Sequence, residues 1–193
     1  MTLTIKHQEH NSRIELLVRT LFGWLYILLP HAFILFFVGI WSAIVTVISF
    51  LMILFTGRYP QTLFEFKIGF MQWHLRVTAS MFNLTDGYPA FGISSADDSV
   101  KIEMQNPENL SRLMLIVKLL FGVLYVALPH YFILFFRWIA TFFMSFIGFW
   151  IILFAGRIPT FVHEFITGTL RWGTRVSLYL SFMTDEYPPF SSK

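Results

Sequence analysis

Apolar positions in this chain fall into two long blocks of similar design. From Leu21 to Phe55 the only side chain of acidic or basic type is His31, and the block runs for about 35 residues. One membrane crossing needs about 20 residues, so the block is too long for one helix and suits two. The matching block of the second half is interrupted near its middle by Arg137-Trp138. Arg beside Trp favours a membrane–water interface, which predicts a tight turn there and at the equivalent Val38-Gly39. The predicted spans are 15–37 and 39–56, then 114–136 and 138–155. Pro30 and Pro129 fall inside the first span of each half, where a proline kinks the helix and frees a carbonyl. A competing division breaks the chain at Leu-Pro-His instead and leaves a short helix before one span of about 26 residues. The hairpin division is favoured.

After each block the pattern turns amphipathic, over about 60–84 and about 159–183. Glu65, Gln72, Arg76 and Asn83 share one helical face, and Glu164, Arg171 and Arg175 repeat it. Such a helix is expected to lie in the headgroup layer with its aromatic residues toward the acyl chains. A third span packed inside a bundle is the alternative. Arg13, Arg19, Arg58, Arg112, Lys118 and Arg157 fall on one side of the hairpins, which the positive-inside rule makes cytoplasmic. Equal charge bias in both halves favours parallel rather than inverted copies. The expected fold is therefore an all-α integral membrane protein of four spans with both termini cytoplasmic.

The halves are a duplication. Residues 13–91 align with 112–190 without a gap, and about 36 of about 79 positions are identical. A polar tail (1–12) precedes the first copy, a polar linker rich in turn formers (92–111) separates the two, and 191–193 form a short tail. Composition agrees with a membrane setting: 56% hydrophobic, 19% aromatic with 24 Phe, and 13% charged residues, against roughly 25% charged in soluble domains. No cysteine is present, which excludes disulfides, thiolate metal sites and cysteine nucleophiles. A net charge of +3 without a Lys/Arg cluster gives no nucleic-acid footprint.

Four blocks recur in order: LPH(A/Y)FILFF, ILF(T/A)GR-x-P, (Q/R)W with R-V, and TD-x-YP-x-F. Together they resemble the bacterial membrane family labelled domain of unknown function 4389, over nearly all of each copy. Copy one departs at Gln72, where copy two has Arg171, and at Ala90, where copy two has Pro189. The resemblance implies a bacterial membrane domain and carries no activity or catalytic residue; the expected location is the cytoplasmic (inner) membrane.

His31 and His130 are the first candidates, because an ionisable group inside a span is costly. Each imidazole could bond the carbonyl its proline frees, or the two could meet as a proton relay. Arg58 and Arg157 could grip lipid phosphate beside a helix N-terminus or simply anchor the interface. Arg76, Arg175, Trp73 and Trp172 are expected at the same interface. Glu65 and Glu164 belong to the polar face and could pair with Arg58, Arg157 or the opposite copy. Asp86, Tyr88, Pro89, Asp185, Tyr187 and Pro188 read as a turn that stops the amphipathic helix, or as a partner motif. No catalytic order, metal set, phosphate loop or cofactor box is visible. The expectation is a non-enzymatic accessory or structural subunit of a larger membrane complex, with lipids and that complex or a second copy as partners and no cofactor. A small transporter or channel with His31 and His130 on its pathway is the alternative.

Overall fold

A computed structural model describes the whole chain, Met1–Lys193. Four helices and a two-stranded ribbon follow in the order β1 (Thr2–Ile5), α1 (Arg13–Thr56), α2 (Gln61–Met81), β2 (Val100–Glu103), α3 (Arg112–Ala155) and α4 (Thr160–Leu180). The long helices α1 and α3 start and stop for local reasons. Ser12 and Ser111 cap them, each hydroxyl accepting from the backbone N–H three residues on. Gly57 and Gly156 end them at φ of 74° and 70°, a left-handed conformation that glycine takes without a Cβ clash. Pro60 and Pro159 then precede α2 and α4.

Each long helix is 44 residues and continuous. The turns expected at Val38-Gly39 and Arg137-Trp138 do not form, since both pairs lie inside unbroken helix. Two long apolar helices stand where four shorter spans were expected. The physical reason is that neither signal forces a turn. A helical glycine costs only about 1 kcal/mol, and Arg137 finds its partners within the protein. Its Nε donates to Thr169 Oγ1 at 3.2 Å, its Nη2 to the Phe165 carbonyl at 3.3 Å, and the guanidinium covers the Phe165 ring at 4.6 Å.

The irregularity falls near the prolines, closer to the competing division, but without ending the helix. Trp24–Leu28 and Val123–Ala127 each form one π turn, with the Leu29 N–H bonded to the Trp24 carbonyl and that of Leu128 to Val123. Lys67 on α2 reaches Ser42 and Thr46, while Arg19 reaches the carbonyl of Ser80. From 67 to 80 α2 rises about 20 Å, whereas the matching stretch of α1 would rise about 38 Å if straight. Side-chain reach takes up part of the difference and bowing of α1 the rest.

The copies pack start to end. Arg13 Nη2 donates to the Phe154 carbonyl at the end of α3, and Arg112 Nη2 to the Phe55 carbonyl at the end of α1, both at 3.0 Å. The Asn11 N–H meets the Gly156 carbonyl and the Leu110 N–H that of Gly57. α1 and α3 are therefore antiparallel to one another. β1 and β2 pair antiparallel with Leu3 opposite Ile102, its equivalent at the shift of the duplication, so the ribbon lies on the pseudo-twofold axis. The segments read as tail and linker thus each hold a strand. Leu3, Ile5, Val100 and Ile102 bury one ribbon face in a core with Leu75 and Ala79 of α2 and Ile166 and Leu170 of α4.

Outside that core the long helices are bare. Only 17% of the most apolar stretch of each, at mean hydropathy 2.5 and 2.1, is buried. Phe33, Phe36, Phe37, Phe132, Phe135 and Phe136 are all more than half exposed. A core helix of a soluble protein would bury this face.

Candidate functional site

The recurring motifs of each copy converge on its histidine. His31 and His130 are fully buried. The indole Nε1 of Trp73 donates to His31 Nδ1 at 2.9 Å, and that of Trp172 to His130 Nδ1 at 2.8 Å. An Nδ1 that accepts puts the proton of the neutral ring on Nε2. The chain after α2 then folds back, so that Phe91 stacks on His31 at 3.8 Å and 5°, and Phe190 on His130 at 3.9 Å and 5°.

Tyrosine, rather than histidine, deals with the proline. Pro30 withholds an N–H from the carbonyl four residues earlier, that of Tyr26, and the Tyr88 hydroxyl donates to it at 3.1 Å. Tyr187 does the same for the Tyr125 carbonyl below Pro129, again at 3.1 Å, and its hydroxyl also lies 3.2 Å from His130 Nε2. The expectation that each imidazole bonds the freed carbonyl is thereby corrected. Nor do the two histidines face one another, because each is engaged by aromatic residues of its own copy.

Asp86 and Asp185 hold the start of the long helix. The Ser12 N–H donates to Asp86 Oδ2 and the Ser111 N–H to Asp185 Oδ2, both at 2.7 Å. Each carboxylate also faces a buried cation: Arg19, 3.8 Å from Asp86 and also bonded to Glu15, and Lys118, 2.6 Å from Asp185. Arg19 and Lys118 further donate to the Thr85 and Thr184 carbonyls. Thus LPH, Trp and TD-x-YP-x-F form one clasp that ties the chain end of each copy to the first turns and the bend of its long helix. Pro89 and Pro188 are buried within it.

Other expected site residues are placed differently. Trp73 and Trp172 are 3% and 4% exposed, so they are clasp donors rather than interface anchors. Arg76 is buried with its Nη2 on the Gly92 carbonyl, and half-buried Arg175 bonds that of Ser191. Arg58 and Arg157 are exposed at the ends of the long helices. Glu65 and Glu164 are also exposed, and neither forms an ion pair; Glu65 accepts from Gln61 instead. The tail after the motif crosses α2 and α4 where each has a glycine. A Cβ on Gly69 would sit 2.5 Å from the Ile93 carbonyl oxygen, and one on Gly168 2.9 Å from Ser192.

Sequence reasoning overlooked several contributors. Lys67 is 5% exposed, and its Nζ contacts only neutral oxygens: Ser42 Oγ and Thr46 Oγ1 at 2.9 Å and the Ser42 carbonyl at 3.5 Å. Burial lowers its pKa to about 8. His163 is buried edge-on to His7, and its pKa is lowered to about 4 by burial and then by the His7 charge. Arg19 and Lys118, which the sequence placed among the cytoplasmic-side cations, are clasp residues instead; the legible signal was a basic residue at the same position near the start of both apolar runs.

No curated protein and no solved structure matches the chain. The family model described as Domain of unknown function (DUF4389) matches residues 13–92 and again 113–192. These ranges contain both clasps entire, and the chain therefore belongs to that family as two tandem copies.

Proposed function

We propose that the chain is a non-enzymatic integral membrane protein of the bacterial cytoplasmic membrane, acting as a structural or accessory subunit of a larger membrane assembly. The exposed aromatic surface of α1 and α3 carries this reading: two bowed helices with their large apolar side chains turned outward need lipid or a protein partner to cover them. α2, α4 and the ribbon form the polar scaffold against the headgroups, where exposed Arg58 and Arg157 contact phosphate. Arg171 donates to carbonyls of both Leu3 and Ser192, which supports both termini lying on one side; exposed Arg58 and Arg157 favour the cytoplasmic side. The clasps, each closed within its own copy around a buried histidine and tryptophan, favour a fixed scaffold over a conduction path.

Purification from native membranes in mild detergent tests the subunit reading. A stoichiometric larger membrane protein is expected to accompany the chain, and a homogeneous particle of this chain and lipid alone refutes it. The absence of cysteine makes labelling of single introduced cysteines clean. Phe36→Cys should be protected from a membrane-impermeant maleimide and Glu65→Cys labelled; equal labelling of both removes the membrane-embedded surface.

A further inference from the structure

The two copies differ most consequentially in one groove. In copy two, Arg137 of α3, the outer face of α4, β1 and Ser192 enclose about 840 Å³. Arg137 leaves its Nη1 without a protein acceptor, while Arg171 presents a second guanidinium held by Leu3 and Ser192. Neither arginine has a carboxylate within ion-pair distance; exposed Glu164 and Lys193 stand at the rim, one of each sign. Two further lining groups are buried and unpartnered: His163 Nε2, on a residue 6% exposed, and Thr167 Oγ1, on one 4% exposed. Buried polar atoms without partners are rare and mark a place where something polar is accommodated.

Copy one is an internal control. At the shift of the duplication, Arg137 corresponds to Val38, Arg171 to Gln72, His163 to Phe64, Thr167 to Ile68, Thr169 to Phe70 and Ser192 to Ile93. The matching surface there is a shallow apolar groove of about 400 Å³ lined by Phe37, Val38, Trp41, Phe66, Trp73 and Ile93. The backbone plan is the same in both copies, so these polar groups are not required to build the unit.

We propose that the copy-two groove is a binding site for a phosphate oxyanion, the headgroup of an anionic lipid, held between Arg137 and Arg171 with the Thr167 hydroxyl completing its hydrogen bonds. Paired guanidinium groups suit phosphate geometry, and an oxyanion supplies the acceptors that Arg137 and the Thr167 hydroxyl lack. The groove lies where the apolar surface of α3 meets the polar scaffold, which lets acyl chains follow the helix while the headgroup stays among the cations. This rests on the membrane-embedded reading above and adds that one copy, not both, selects the lipid.

The test is native mass spectrometry of the full chain in detergent, titrated with phosphatidylglycerol or phosphatidylcholine, with inorganic phosphate added in a separate arm. The intact chain should retain one phosphatidylglycerol with about tenfold preference over phosphatidylcholine. Arg137→Val with Arg171→Gln, the residues copy one carries, should abolish that preference with far-ultraviolet circular dichroism unchanged. Equal retention of the two lipids, or a preference that survives the double variant, overturns the proposal. Phosphate binding without lipid preference overturns the lipid source while retaining the oxyanion chemistry. Lys101→Ala, at an exposed cation on β2 outside the groove, should leave the preference intact. A chain that stays monodisperse after detergent removal would instead refute the membrane-embedded reading, so the two failures are separable.

Discussion

Replacing His31 by leucine removes the centre of the first clasp while nearly preserving its volume, and the cost follows from the contacts. The Trp73 indole N–H, on a residue 3% exposed, loses its acceptor where water cannot replace it, at about 1–3 kcal/mol. The parallel stack on Phe91 at 3.8 Å is lost as well, at about 0.5–1.5 kcal/mol. With little cavity left behind, the expected destabilisation is about 2–4 kcal/mol. Trp73→Phe removes the other partner, and a double-mutant cycle isolates the hydrogen bond: His31→Leu with Trp73→Phe should cost less than the sum by about 1–2 kcal/mol. His130→Leu and Trp172→Phe should show the same coupling through the equivalent hydrogen bond, with a larger cost for His130→Leu because His130 Nε2 also meets the Tyr187 hydroxyl. Equilibrium unfolding in mixed micelles, followed by far-ultraviolet circular dichroism, reads all of these. A His31→Leu protein within about 0.5 kcal/mol of the parent, or strict additivity with Trp73→Phe, would refute the clasp as a structural element.

Further expectations bear on other parts of the fold. Asp86→Ala should lower stability by about 2–3 kcal/mol in the same unfolding assay, since it uncaps Ser12 and strips a carboxylate from buried Arg19. Arg13→Ala removes the side-chain donor from the last turn of α3 and should cost about 1 kcal/mol. Lys67→Ile, the residue copy two has at Ile166, should raise the unfolding midpoint at neutral pH, because the folded state holds this ammonium without a counter-charge; a lowered midpoint would show that its hydroxyl contacts outweigh desolvation. For His163 the folded pKa lies below the ordinary 6.5, so the unfolded chain binds the proton first as pH falls. Stability should therefore decline from pH 6.5 to about 4 and level off below that, and His163→Phe, the copy-one residue, should remove that part of the pH dependence in unfolding titrations.

The duplication and the alternation of long apolar and shorter amphipathic helical stretches were legible in the sequence because they rest on periodicity and self-similarity. The shape of the long helices was not. A run of apolar residues records that a helix meets lipid or core, but Val38-Gly39 and Arg137-Trp138 carry no covalent bar to continuing it. Pro30 does carry one, and its consequence appears as a π turn and a hydroxyl from Tyr88, some sixty residues away in sequence. His31, Trp73, Asp86 and Tyr88 and their copy-two equivalents were named from their recurrence, whereas the stacking Phe91 and Phe190 were not singled out, and Trp73, Arg76 and Trp172 were assigned to the membrane surface. An indole or guanidinium that anchors an interface and one buried on a histidine or a carbonyl look alike until the fold brings the partner.

The start-to-end packing of the copies also changes what the charges mean. Arg13 lies at the end of α3 near Arg157, while Arg112 lies at the end of α1 near Arg58, so the two copies exchange their terminal cations. A count of basic residues along a hairpin assigns all of them to one side by their order in sequence; the pseudo-twofold axis assigns them in pairs to the two ends of an antiparallel layer. Arg13 and Arg112 are then spent on carbonyls of the opposite copy, where they oppose the negative end of a helix dipole. They hold the copies together and report little about membrane orientation. Arg58 and Arg157, which bond nothing in the chain through their side chains, remain free for headgroups. On this reasoning an Arg58→Ala, Arg157→Ala double variant should loosen membrane association without loss of unfolding stability, whereas Arg13→Ala with Arg112→Ala should lower stability by about 2 kcal/mol with association intact. Vesicle flotation beside micelle unfolding separates the two effects, and the opposite assignment would mean that the long helices do not cap one another.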